Sequence, residues 1–169
     1  MKDEMIDIKQ KFVDEGFIIL KGAVNECLIA ESKVIILRAL NNLRDDPLSD
    51  IETAITKACE KYHQADVQSF IHQELQSRNI KSKILLIDSV LSFSKEMLGP
   101  DLSYNRGGAV CVNLRPTDDN MFMKKHHQEI WSGAGVNELR VWSPLYMPGI
   151  GGGLNIIPGS HSWGCIPNR

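Results

Sequence analysis

The stretch that decides the predicted fold is Ala-Val-Cys-Val-Asn-Leu at residues 109–114, followed by Pro116. A short apolar run that ends close to a proline is typical of a β-strand. Residues 121–129, 139–147 and 154–157 are predicted to be three further strands. Short strands with glycine and proline between them predict a sandwich or a jelly roll.

Helical patterns dominate before residue 100. A short amphipathic helix is predicted to end at Gly16, and the apolar run at 17–20 is predicted to be a buried strand. Four further helices are predicted. The first covers about 25–43, and the second runs from a cap at Ser49 or Asp50 to about Tyr62. The third covers the sixties and seventies, and the fourth covers 84–98 and ends before Gly99-Pro100. Because no linker separates the two parts, we expect a single domain over 1–169. Its mainly helical portion (1–100) would pack on the strands (101–169).

The overall composition restricts the class of partner. A net charge of −2 gives no basic surface of the kind that binds nucleic acid. No apolar run approaches the roughly 18 residues that a membrane span needs. The 4 cysteines lie far apart without a C-x-x-C pair, which is typical of reduced thiols. We therefore expect a soluble, cytoplasmic protein with neither a nucleic-acid partner nor a membrane span.

The sequence Lys-His-His-Gln-Glu-Ile-Trp-Ser-Gly at residues 125–133 contains a candidate metal site, His127 and Glu129. Residues two apart on a strand point to the same face, with Cα atoms about 6.5 Å apart. An imidazole and a carboxylate at this spacing suit divalent iron, and two histidines with one carboxylate leave positions open for a co-substrate and oxygen. The alternative interpretation is a solvated strand end. His126 would face away from His127 and is interpreted as a bystander.

Three blocks of sequence together resemble the phytanoyl-CoA dioxygenase family, in order and in approximate spacing: His127-Gln128-Glu129, Trp142-Ser143 and Pro158-Gly159-Ser160-His161. Residues 12–22 also look like the N-terminal entry of that family. The resemblance implies an α+β fold built on a double-stranded β-helix, which is a cupin-like jelly roll. Residues 101–169 would supply its first strands.

The resemblance also implies the roles of individual residues. His127 and Glu129 would be the catalytic iron ligands. Gln128 and Trp142 match positions that contact the co-substrate 2-oxoglutarate, and His161 matches a histidine that supports the site. The alternative for His161 is a turn histidine that is hydrogen-bonded to backbone, and the alternative for Trp142 is ordinary packing in the core of a β-sheet. We expect His161 to lie near His127 in space.

The implied function is that of an Fe(II)- and 2-oxoglutarate-dependent dioxygenase that hydroxylates a small metabolite with molecular oxygen. A carbohydrate precursor is the preferred substrate, because the Glu-Ile-Trp-Ser-Gly continuation looks like a subgroup linked to surface carbohydrates. Two departures stand out. Glu129 replaces the usual aspartate, and the chain contains no histidine after His161 and only Arg169 as a later arginine. We therefore expect an incomplete site, weak binding of Fe(II) and 2-oxoglutarate, and trace turnover at most.

Two alternatives remain open from the sequence. One is a truncated, non-catalytic remnant or binding module of the same fold, because the second ligand histidine is missing. The other is a cupin-like metal protein that uses His126, His127, Glu129 and His161. Metal content together with turnover of 2-oxoglutarate would separate the second alternative from an oxygenase.

Overall fold

The computed structural model describes residues 2–43, 45–104, 137–147 and 154–163. Within these ranges the protein is helical. Six α-helices and one short 3-10 helix follow one another: α1 (Lys2–Glu15), α2 (Glu26–Asn41), α3 (Ile51–Lys61), α4 (Gln64–Ser77), α5 (Ile80–Leu85), α6 (Asp88–Leu98) and the 3-10 helix η1 (Ser160–Trp163).

Local capping explains where two of these helices begin. The side-chain oxygen of Asn25 accepts a hydrogen bond of 2.8 Å from the amide of Leu28 at the start of α2. At the start of α3, the carboxylate of Asp50 accepts one of 2.7 Å from the amide of Thr53. Each bond satisfies one of the amides that a first helical turn leaves without a partner. The prediction that Asp50 caps a helix is confirmed, as is a helix that starts next to Asn25.

The main core lies where helices α2 to α5 meet. Its buried residues are apolar: Leu28, Ile35, Ile36, Ala39, Leu40, Ile51, Ala54, Ala58, Val67, Ile71, Leu75, Ile80 and Ile84. Residues 137–147, which have no regular secondary structure, reach this core through Leu145 and Tyr146. The helical portion thus carries its own hydrophobic core.

Helices α1 and α6 form a smaller contact beside this core. The rings of Phe12 and Phe93 meet edge to face, with centroids 5.3 Å apart. Lys9 Nζ lies 3.0 Å from a carboxylate oxygen of Glu96, but both side chains are nearly half exposed. An exposed ion pair of this kind contributes little, so the aromatic pair contributes the more of these two contacts.

The predicted fold class is wrong for the part of the chain that the structure describes. Residues 17–20, 139–147 and 154–157 were predicted as strands, yet none of them is in a strand, and no sheet occurs in the described ranges. A double-stranded β-helix (jelly roll) is therefore not seen there. A strand needs a neighbour to pair its N–H and C=O groups, and an apolar run does not show whether one is present. Ile19, predicted to be buried, is 70% exposed. Predicted strands 109–114 and 121–129 lie outside the described residues.

The helix predicted over residues 84–98 is also divided. It is interrupted after α5, and Ile87 has an extended backbone at the start of α6. Leu86, at the break, is 56% exposed. The predicted end at Gly99 is confirmed, since Gly99 has a φ of 101° and follows Leu98 directly. None of the helices among the described residues is long and apolar enough to span a membrane.

Candidate functional site

The sequence placed the candidate site on five residues, and the structure describes two of them. His127, Gln128 and Glu129 lie outside the described residues. Their predicted convergence on iron, and the predicted proximity of His161 to His127, therefore stay predictions. Trp142 and His161 lie within the described ranges and can be placed.

His161 lies in η1, just after the tight turn predicted at Pro158-Gly159, which the structure confirms. Its Nε2 is 2.9 Å from the carbonyl oxygen of Val13 in α1. A carbonyl accepts, so Nε2–H is the donor. The backbone amide of Gly159 donates to the carbonyl of Glu15 at 2.8 Å. His161 is thus a turn histidine bonded to backbone, one of the two interpretations that the sequence left open.

Gly16 lies directly beneath the imidazole of His161. Its φ of 82° is in the left-handed region, which glycine adopts readily and other residues rarely do. A Cβ atom at this position would be 2.7 Å from Cγ of His161 and still closer to Nδ1. The contact brings together two blocks of the family resemblance, the N-terminal entry segment and the Pro-Gly-Ser-His turn, from opposite ends of the chain.

Trp142 is 51% exposed and lies on a segment without regular structure, so it is not a core residue of a sheet. The segment is attached to α3 through Tyr146. Burial raises the pKa of the Tyr146 hydroxyl, and the charges of Glu52 and Asp50 and a hydrogen bond with Glu52 raise it further. Tyr146 therefore stays protonated and holds the segment that carries Trp142 near the first turn of α3. No pattern in the sequence pointed to Tyr146.

The described residues contain no group of three or more His, Cys, Asp or Glu side chains that could hold a metal ion. The expectation of a metal-binding jelly roll is therefore wrong for this part of the chain. In particular, His161 does not belong to such a group, and its Nε2 already donates to Val13. In the ligand set of a cupin-like protein, His161 would bind the metal through Nδ1 and could keep its bond to Val13.

A second histidine that sequence reasoning missed is His72 on α4. Lys81 Nζ lies 3.0 Å from His72 Nδ1, so the ammonium donates to a neutral imidazole. Burial lowers the pKa of His72, and the charge of Lys81 lowers it further. Burial also lowers the pKa of Lys81. The two residues are nine positions apart on different helices, so no periodic pattern pointed to the pair.

Because the pKa of His72 is lowered in the folded state, we expect the protein to become less stable in mild acid. With a folded-state pKa below the unfolded value of 6.5, the unfolded chain binds more protons in the window between them. The contribution of His72 to stability is thus fully present above pH 6.5, and it is lost as the pH falls through the folded-state pKa of this residue. Unfolding in urea from pH 7.5 to 5 should show a smaller acid loss for His72→Gln than for the native chain.

The matched variant for this measurement is Lys81→Met, which removes the neighbouring charge and leaves His72 in place. It should retain part of the acid loss, because burial is the larger cause of the lowered pKa of His72. The effect is small in every case, since His72 is only partly buried. Identical pH profiles for the native chain and His72→Gln would contradict the prediction.

Two grooves beside α2 do not include the predicted site residues. One, of about 280 Å³, is lined by Glu31, Val34, Ile35, Arg38, Glu74 and Arg78. The other, of about 530 Å³, shares Val34 and Arg38 with it. Two arginines and two glutamates in the first groove leave it without a net charge, so its lining favours no class of charged ligand.

Comparison of the chain with protein-family models, with curated proteins and with solved structures finds no match. The resemblance to an oxygenase family therefore rests on its motifs alone.

Proposed function

We propose that this chain belongs to an Fe(II)- and 2-oxoglutarate-dependent dioxygenase that hydroxylates a small metabolite. The observation that carries the proposal is the motif His127-Gln128-Glu129 with Trp142 and the Pro-Gly-Ser-His turn downstream. A carbohydrate precursor is the preferred substrate class, molecular oxygen is the second substrate, and the proposed location is the cytoplasm. The wide spacing of the 4 cysteines, without a C-x-x-C pair, supports that location.

The proposal leaves the contact of His161 with α1 in place. The N-terminal entry segment and the Pro-Gly-Ser-His turn each resemble the same family in sequence. They meet at Val13 and His161, which are 148 positions apart. This contact says nothing of iron, so the assignment of His127 and Glu129 needs its own test.

The proposed reaction balances as substrate C–H plus O2 plus 2-oxoglutarate, giving substrate C–OH plus succinate plus CO2. Iron supplies the activation of oxygen in such reactions, and the protein supplies ligands, orientation and a shielded pocket. Here His127 and Glu129 would hold the metal through an imidazole nitrogen and a carboxylate oxygen. Gln128 and Trp142 would contact the co-substrate. His161, bonded to Val13, would stabilise the surrounding structure.

The test is equilibrium binding of Fe(II) without oxygen, followed by succinate formation from 2-oxoglutarate with oxygen and ascorbate. The protein should be the product of the complete reading frame that contains this sequence. Loss of a residue that merely orients a ligand weakens metal binding about 10–100-fold. We expect His127→Ala and Glu129→Ala to weaken Fe(II) binding at least as much, and to abolish succinate formation.

His126→Ala is the matched control, because it removes an imidazole one position away that the proposal leaves unused. It should bind Fe(II) and form succinate as the native protein does. Loss of Fe(II) binding in both His126→Ala and His161→Ala, without any succinate formation, would favour the cupin-like alternative. Unchanged Fe(II) binding after His127→Ala and Glu129→Ala would contradict the proposal.

A further inference from the structure

We propose that Gly16 and the turn of residues 158–161 form a latch that couples α1 to the distal segment of the chain, with His161 as its positioning residue. The distal segment is the stretch of residues 154–163. The latch goes beyond the proposed function, because it requires neither iron nor 2-oxoglutarate.

The C-terminal end of α1 has unsatisfied acceptors that the latch fills. The last carbonyls of a helix have no partner within it, and a basic side chain often binds them. The last turn of α1 contains no basic residue. Instead, the distal segment supplies two donors, Nε2–H of His161 to Val13 and the amide of Gly159 to Glu15. The cap of α1 thus comes from about 150 residues away in sequence.

Elsewhere, the described side chains of α1 make few contacts, so loss of the latch should have a large effect on this helix. Among the residues whose side chains are described, none of α1 belongs to the main core. Phe12 packs on Phe93, and Lys9 pairs with Glu96 at the surface. A helix held by so few contacts opens more readily than the core. Breaking the latch should therefore loosen α1 and the distal segment together while α2 to α5 remain folded.

The close fit of His161 against Gly16 means that the latch requires glycine at position 16. The close approach of the His161 ring to Gly16 leaves no room for any side chain there. Gly22 offers a matched comparison, since its φ of 69° is also left-handed but nothing lies within 4 Å of an added Cβ. Alanine at either position carries the same kind of backbone strain. Only alanine at Gly16 also displaces His161.

Amide hydrogen exchange by mass spectrometry on the whole chain tests the coupling. Gly16→Ala should speed exchange about tenfold both at the end of α1 and in residues 158–163, as expected for the loss of two hydrogen bonds. Gly22→Ala should leave exchange of residues 158–163 unchanged. His161→Ala should reproduce the effect of Gly16→Ala, and His161→Gln, which keeps a donor near the position of Nε2, should restore much of the protection.

The double variant gives the decisive comparison. In a His161→Ala background the ring that meets the new Cβ is gone, so Gly16→Ala should change exchange no more than Gly22→Ala does. Slow exchange in α2 to α5 verifies that every variant is folded. Faster exchange confined to α1 in Gly16→Ala, with residues 158–163 unchanged, would overturn the latch. Equal effects of Gly16→Ala and Gly22→Ala would do the same.

Discussion

Replacing Leu40 with alanine is expected to lower the free energy of unfolding by about 2–5 kcal/mol. Leu40 lies on α2, and its side chain is 0% exposed in the main core. The substitution removes buried methyl groups and leaves a cavity that neighbours from α3 and α4 fill only in part. Urea unfolding followed by circular dichroism at 25 °C measures the loss, as a lower midpoint at an unchanged slope.

Val34→Ala is the matched control, because Val34 lies on the same helix but is 67% exposed. It should change the free energy of unfolding by no more than about 0.5 kcal/mol. If Leu40→Ala and Val34→Ala lowered stability equally, the side of α2 assigned to the core would be incorrect. Since α2 is the helix around which α3 and α4 pack, the arrangement of the whole core depends on this result.

Enlarging Ala54 to leucine is expected to lower the free energy of unfolding by about 1–3 kcal/mol. Ala54 on α3 is 0% exposed, so the helices approach closely at this position. Three added carbons must displace a neighbour or force a strained rotamer. Thermal unfolding by calorimetry measures the change as a lower Tm.

Ala65→Leu provides the comparison, as the same chemical change at an exposed position in the first turn of α4. Its Tm should stay close to that of the native chain, because leucine has a good helix propensity and meets open solvent. An unchanged Tm for Ala54→Leu would show that α3 does not pack closely on its neighbours at this point.

The candidate site was predicted from sequence only as far as its motifs. Pro158-Gly159 was predicted as a tight turn, and it is one, because both residues favour such a turn by their own backbone geometry. The partner of His161 could not be predicted. It is a backbone carbonyl, Val13, and any residue can offer one, so the sequence contains no signal for it. The same holds for Lys81 with His72, where position on neighbouring helices creates the pair.

The strand predictions failed for a related reason. Residues 17–20 form an apolar run after a glycine, and such a run suits a strand as well as a loop that packs beside helices. Which of these forms is decided by whether another strand lies alongside to pair the backbone groups. No strand occurs in the described ranges, and one of the four residues, Ile19, is largely exposed.

The sequence by itself determined the local boundaries of this protein. Asn25 and Asp50 begin helices and Gly16 and Gly99 end them, because caps and left-handed glycines act within a few residues of themselves. Only the tertiary structure decided that the helices form their own core and that His161 caps α1. Contacts between residues 148 positions apart depend on how the whole chain packs, and a helix end presents the same carbonyls whatever the distant partner is.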